Sequence, residues 1–325
     1  MPHRSMDLTA QVGAIAAGVR DPRRTETVGL SPYLQHTLGA PAVFAGVGIH
    51  TGAHVRVAVR PAAAGAGITF IRVDVDDLDR VVPARAETVC NTRLGTVIGN
   101  ADGVTVSTVE HLMAAFCALG VDNAVVELDG PEVPIMDGSA QPFIELLDRA
   151  GRRRQEAPRE YIEILEAVEV IEGDKRATLS PSDRFEVAFE ILFDTRAIGR
   201  QRVDLAVDEE VFRAEIADAR TFGFLHEVDA LRAAGLARGA SLENVVVIDG
   251  DMVMNAEGLR RPDEFVRHKA LDAVGDLYLL GAPLLGRFEG IYAGHALNNA
   301  VVRALLARPG AWRLTLPRPQ LAEAV

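Results

Sequence analysis

Apolar and polar residues alternate along HVRVAVRPA (His54 to Ala62), the period of a strand with one buried face. The same texture predicts strands at Gly67 to Val73 and Asn123 to Leu128, and GVGIHTG (Gly46 to Gly52) reads as a glycine-punctuated turn between strands. STVEHLMAAFCALG (Ser107 to Gly120) changes period: apolar residues recur at helical spacing, a serine opens the run and a glycine closes it. GSAQPFIELLDRAG (Gly138 to Gly151) predicts a second helix. GRRRQEAPRE (Gly151 to Glu160) is charged and without period, and the domain boundary is placed there.

The second half repeats the mixture. Strands are expected at Tyr161 to Ile171, Arg176 to Ser180, Phe185 to Phe193 and Asn244 to Ile248. Helices are expected at Asp208 to Ala219, Glu227 to Ala234, Pro262 to Leu280 and His295 to Ala307. Strand and helix runs mixed within each half predict an α+β fold, with residues 34–154 as one domain and 155–325 as the other. Residues 1–33 have no sustained period and read as a loose extension.

Composition narrows the function classes. A formal net charge of -12, with arginines scattered along the chain, argues against a nucleic-acid partner held through its phosphates. No apolar run reaches the roughly 18 residues that a membrane-spanning helix needs. VGAIAAGV near the start resembles a signal segment, but Asp7 and Gln11 lie beside it, and a cytoplasmic protein is expected. Cys90 and Cys117 show no metal or disulfide spacing, which suits a reducing compartment. Of the 34 basic residues only Lys175 and Lys269 are lysines.

Candidate chemistry concentrates in RHKALDAVGD (Arg267 to Asp276). On a helix His268, Asp272 and Asp276 form one column, and the i, i+4 pair His268 and Asp272 has the spacing by which one rigid helix gives a metal two ligands. The same spacing suits a plain ion pair, so a third ligand is needed. Glu110-His111 is the other candidate. Ser107 and Glu110 fit a capping box, which would make Glu110 structural; alternatively His111 ligates a metal while Glu110 reaches water beside it. Two histidines and one aspartate leave an open fourth position, the pattern of catalytic zinc, where water becomes acidic and a neighbouring carboxylate can take its proton. His295 stands at a helix start, where an acid role requires an offsetting carboxylate such as Asp276; a plain hydrogen-bonding role is equally open.

Together TVEHLMAAF, PIMDGSAQPF, ARTFGF, RPDEFVRHKALDAVGDLYLLG and GHALNN, in that order and preceded by QHTL and GVGIHTG, resemble the UDP-3-O-acyl-N-acetylglucosamine deacetylase family, zinc amidases of lipid A biosynthesis. The resemblance covers about residues 34 to 310. It implies two similar α+β domains, each a sheet packed on helices, with the active site between them. It also implies Zn²⁺ held by His111, His268 and Asp272, with Glu110 as general base, His295 as the acid that protonates the leaving amine, and Asp276 tuning it. Thr221 would polarise the acetyl carbonyl, and Phe222, Lys269 and Lys175 would contact an acylated UDP-glucosamine, Lys175 near the nucleotide. A βαβ-like insert over about residues 225–260 would form an apolar passage for the acyl chain, through Leu225, Val228, Leu231, Leu236 and the strand Val245 to Ile248. The implied protein is a cytoplasmic monomer. His50 in GVGIHTG has no ligand role in this scheme, and lies near the nucleotide or supports its turn. Two rivals stay open at this stage: a binding protein that keeps the fold and a structural metal, and an amidase for another acylated sugar.

Overall fold

Residues 32–76 and 79–316 are described by the computed structural model; the extension before Pro32, with its VGAIAAGV run, lies outside them. Valines 55, 57 and 59 of His54–Pro61 are all buried, as the alternation requires. That strand belongs to a five-stranded sheet in the order Ala42–Val47, His54–Pro61, Ala124–Leu128, Ile68–Arg72 and Val81–Pro83. Only the pairing of Ile68–Arg72 with Ala124–Leu128 is parallel.

The second half carries a seven-stranded sheet. Its main path runs Val168–Glu172, Lys175–Ser180, Leu284–Ile291, Tyr161–Ile164 and Trp312–Thr315, while Phe185–Leu192 also pairs with Leu284–Ile291 and bears Arg200–Ala206 on its other edge. The strand expected over Tyr161 to Ile171 is thus two strands, separated at Leu165 to Ala167. The charged segment after Gly151 is not featureless. Arg152–Pro158 is an extended strand paired antiparallel with Leu34–Leu38, its side chains largely toward solvent.

Among the described residues six α-helices accompany the sheets: α1 (Glu110–Ala118), α2 (Gln141–Ala150), α3 (Glu209–Glu215), α4 (Val228–Ala233), α5 (Glu264–Tyr278) and α6 (His295–Leu306). Each start has a local cause where the sequence supplies one. Asp208 caps α3 by accepting a hydrogen bond from the Val211 N–H at 2.8 Å, and Pro142 occupies the first turn of α2, where a missing N–H costs nothing.

The fold turns on α5. Of its fifteen residues all but Arg267 and Lys269 are buried, so it is a central helix and its polar column is no solvated face. It packs on α1, on α6 and on the strands Phe185–Leu192 and Arg200–Ala206. Gly275 lets α1 come close: a Cβ there would sit 2.0 Å from the carbonyl oxygen of Glu110. Any larger residue would push apart the two helices that carry the candidate ligands. The mixed architecture, several sheets packed against helices, is the α+β class that the sequence predicts.

Candidate metal centre and catalytic cleft

α1 presents Glu110 and His111 in its first turn, and α5 presents His268 and Asp272 one turn apart. The donor atoms of His111, His268 and Asp272 lie within 4.8 Å of one another. The Nε2 atoms of His111 and His268 are 3.5 and 3.4 Å from Asp272 Oδ1, and their rings meet edge to face. All three residues are buried.

The second atoms of these groups fix their roles. His268 Nδ1 lies 3.1 Å from the carbonyl oxygen of Ala219, which can only accept, so Nδ1 carries the proton and Nε2 keeps its lone pair. Burial pushes the His268 imidazolium down to about 3, against the pull of Asp272, so the ring is neutral. Asp272 Oδ2 accepts from Lys269 Nζ at 2.5 Å, while the buried Oδ1 has no hydrogen-bond partner among the described residues. Burial favours the protonated form of Asp272, but His268 and Lys269 outweigh it and hold the carboxyl well below its usual range. A buried anionic oxygen without a donor is costly, and the His268 Nε2 lone pair and the His111 Nε2 both lie within 3.5 Å of it, an arrangement that could hold a cation. The donor set fits Zn²⁺, which takes histidine nitrogens and carboxylate oxygens.

Beside it stand Glu110 and His295. Glu110 Oε2 accepts the Thr96 N–H at 3.0 Å, and Oε1 is 3.9 Å from His295 Nε2. Burial raises the Glu110 carboxyl, against the charges of His295 and His111. His295 Nδ1 is 2.9 Å from Asp276 Oδ2, and its Nε2 is 3.7 Å from Asp272 Oδ2. Burial alone would lower the His295 imidazolium, but Asp276 and Asp272 together lift it to about 9. At neutral pH it is therefore protonated, with one N–H on Asp276 and the other toward Glu110 and Asp272.

The capping box, one of the two readings open for Ser107 and Glu110, does not form. Ser107 is in a bridge with Glu132, Val109 occupies the cap position in helical conformation, and the Glu110 carboxylate turns to Thr96. The propensity signal loses to a tertiary contact.

Glu110, His111, His268, Lys269, Asp272 and His295 open onto a cleft of about 490 Å³, with Thr221, Phe222 and Lys175 also on its walls. Lys175 is exposed at one side. Phe222 sits edge-on to Phe193 and Phe265. A second, mostly apolar cavity of about 390 Å³ begins at Glu110 and His111 and runs under the insert. The insert is a βαβ unit: Phe222–Phe224 lies parallel to Val246–Asp249 with α4 between them, and Met252–Val253 adds an antiparallel strand. Leu225, Val228, Leu231, Val245 and Val247 line the cavity. Leu236 does not, and Val246 and Ile248, on the opposite strand face, are fully buried in the core instead.

Sequence reasoning missed three residues here, Thr96, Asn298 and Glu132. Thr96 and Asn298 both donate to Asp276, at 2.5 and 2.9 Å. Glu132 is fully buried and accepts from the backbone N–H groups of His50 and Thr51 and from the hydroxyls of Thr51 and Thr108. His50 itself lines the apolar cavity, its Nε2 3.0 Å from the Leu94 carbonyl oxygen. Threonine, asparagine and glutamate carry no local pattern that marks such long-range partners.

A buried His, His, Asp cation site with a carboxylate on one side and an imidazolium on the other defines a metal-dependent hydrolase. A family model described as UDP-3-O-acyl N-acetylglycosamine deacetylase (LpxC) matches residues 35–307. Among similar proteins, the UDP-3-O-acyl-N-acetylglucosamine deacetylase of Phenylobacterium zucineum (strain HLK1) is 70% identical over 291 residues, 90% of this chain and 99% of that protein. The protein of the same name from Myxococcus xanthus (strain DK1622) is 50% identical over 290 residues, 89% of this chain and 91% of that one. The chain belongs to the UDP-3-O-acyl-N-acetylglucosamine deacetylase family.

Proposed function

We propose that the protein hydrolyses the N-acetyl group of UDP-3-O-acyl-N-acetylglucosamine and releases acetate, in lipid A biosynthesis. The observation that carries the reading is the unpartnered, buried Oδ1 of Asp272 within 3.5 Å of the Nε2 atoms of His111 and His268, beside Glu110.

His111, His268 and Asp272 would hold Zn²⁺, which supplies Lewis acidity toward the acetyl carbonyl and lowers the pKa of water to about 7. Glu110 takes the proton of the attacking water: its raised carboxyl is matched to that task, and the Thr96 N–H on Oε2 leaves Oε1 as the basic atom. Thr221, on the wall of the cleft, donates to the oxyanion that forms at the carbonyl. His295 gives the Nε2 proton to the departing glucosamine nitrogen while Asp276 keeps the ring charged and oriented. Lys269 neutralises Asp272 and faces the substrate, and Lys175 takes the nucleotide end as a mobile point charge. Phe222 packs on the sugar, and the apolar cavity beneath the insert receives the acyl chain.

The same reading takes residues 34–154 and 155–325 as two α+β domains, each with its own main sheet, and the protein as a cytoplasmic monomer. Two free cysteines are in keeping with a reducing compartment. No helix among the described residues is long and apolar enough to cross a membrane. The decisive experiment follows release of free amine from UDP-3-O-acyl-N-acetylglucosamine before and after chelation, with Zn²⁺ or Fe²⁺ restored stepwise. Turnover should vanish with the metal and return with Zn²⁺; deacetylation indifferent to chelator would overturn the mechanism.

A further inference from the structure

Thr96 occupies a position that no role so far explains. It lies in the TRLGT loop, before the short strand Val97–Gly99, and is 1% exposed. Its N–H donates to Glu110 Oε2 at 3.0 Å, and its carbonyl oxygen accepts the Val109 N–H at 3.3 Å, so its backbone grips the start of α1 on both sides. Its hydroxyl is 2.5 Å from Asp276 Oδ1 and 3.3 Å from His295 Nδ1. A carboxylate can only accept, so the single hydroxyl proton goes to Asp276. The lone pairs of Oγ1 are then left facing the His295 Nδ1–H, which donates chiefly to Asp276 Oδ2 at 2.9 Å.

We infer that Thr96 is a positioning residue that couples the base to the acid, its backbone setting the Glu110 carboxylate and its hydroxyl setting the Asp276 and His295 pair. The inference rests on the deacetylase reading above and adds a member to that site. The chemistry requires a small side chain with both a donor and an acceptor on one atom. Valine matches threonine in shape and supplies neither, while serine supplies both. With Oδ1 of Asp276 fixed by Thr96, and Oδ2 shared by Asn298 and His295, the carboxylate cannot rotate, and His295 Nε2 is held toward Glu110 and Asp272. Without the hydroxyl the carboxylate loses one of three donors and the ring loses its stop.

Steady-state deacetylation should be measured for the metal-loaded wild type, Thr96→Val, Thr96→Ala and Thr96→Ser, each also in an Asp276→Asn background, with bound metal quantified in every sample. Thr96→Val and Thr96→Ala should lower kcat roughly 10- to 100-fold, with KM and metal content within about twofold of wild type, and Thr96→Ser should restore most of the rate. In the Asp276→Asn background the same changes should cost less than about threefold, because the hydroxyl acts through that carboxylate. Wild-type kcat in both Thr96→Val and Thr96→Ala overturns the inference, and so does an equal loss in the two backgrounds. The same holds if the loss comes with released metal that serine does not retain. Should the valine variant fail to fold, the alanine and serine pair carries the same comparison. Glu110→Gln serves as the control on the parent reading: its loss of turnover beside an unaffected Thr96→Val refutes only the role of Thr96, whereas full activity in Glu110→Gln refutes the hydrolase mechanism itself.

Discussion

Of the three buried carboxylates on α5, Glu264 and Asp272 lie two turns apart and have been treated in opposite ways. Glu264, at its first turn, is fully buried; its oxygens take the Arg220 backbone N–H and guanidinium and the Arg260 N–H, at 2.7 to 3.2 Å. Arg220 spends its remaining donors on Glu257 and Gly258. Asp272 is as deeply buried, yet its Oδ1 has no donor and lies 3.4 Å from His268 Nε2, which keeps its lone pair. A closed network of satisfied charges fastens the insert and the ARTFGF strand to the helix; an open one reserves a place for a cation. Burial of charge alone does not distinguish the two carboxylates; the unsatisfied Oδ1 of Asp272 does.

The largest effect that would sharpen this contrast is on turnover. Glu110→Ala should lower kcat by about 100- to 10,000-fold while metal analysis finds the ion still bound, since Glu110 is not one of the three donors. Retained activity would remove the base from the scheme.

Glu264→Ala should act on stability instead. It leaves the Arg220 guanidinium buried without its main partner, and a loss of about 3 to 5 kcal/mol is expected in urea titrations, the same with and without metal. A metal-dependent loss would show that the closed network is part of the site.

Asp272→Asn should show the complementary pattern: the stabilisation that wild type gains from Zn²⁺, about 2.7 kcal/mol at a hundredfold excess over its dissociation constant, should disappear. Thermal scans with and without chelator measure it. An undiminished Zn²⁺ increment in that variant would place the ion elsewhere.

The smallest effect concerns a buried group outside both networks. Burial, helped by Arg159, pushes the His36 imidazolium from 6.5 down to about 4. The unfolded chain then binds a proton between those values that the folded chain refuses, so this residue costs stability increasingly as pH falls from about 6.5 to 4, and nothing above. Comparing wild type with His36→Gln at pH 7 and pH 5 should show a shallower acid loss in the variant. Equal losses would mean that His36 is accessible to protons in the fold.

How much was legible depended on the range of the cause. The i, i+4 spacing of His268 and Asp272 survives into the structure because helical periodicity is local. The strand Leu284–Ile291, which joins much of the seven-stranded sheet, carries no plain strand signal because Gly286 and Gly290 interrupt it; a Cβ on Gly290 would meet the Phe189 ring at 2.7 Å. Arg152–Pro158 was unreadable for a different reason: it is an exposed, charged strand whose partner lies at the other end of the domain. Of the two readings that the sequence left open for Glu110, the capping box with Ser107 does not form, since the Glu110 carboxylate accepts from the Thr96 N–H instead.

By itself the sequence determined which segments alternate, which turn helical, and that one helix would hold a histidine and an aspartate on one face. Those outcomes follow from side-chain periods within a few residues. Only the tertiary structure brings His111 beside that pair, turns the Glu110 carboxylate to Thr96, and sets Thr96 against Asp276 across 180 residues of chain. Nothing local encodes such meetings: they arise because α1 and α5 bury their faces against each other, with Gly275 letting the backbones close to contact.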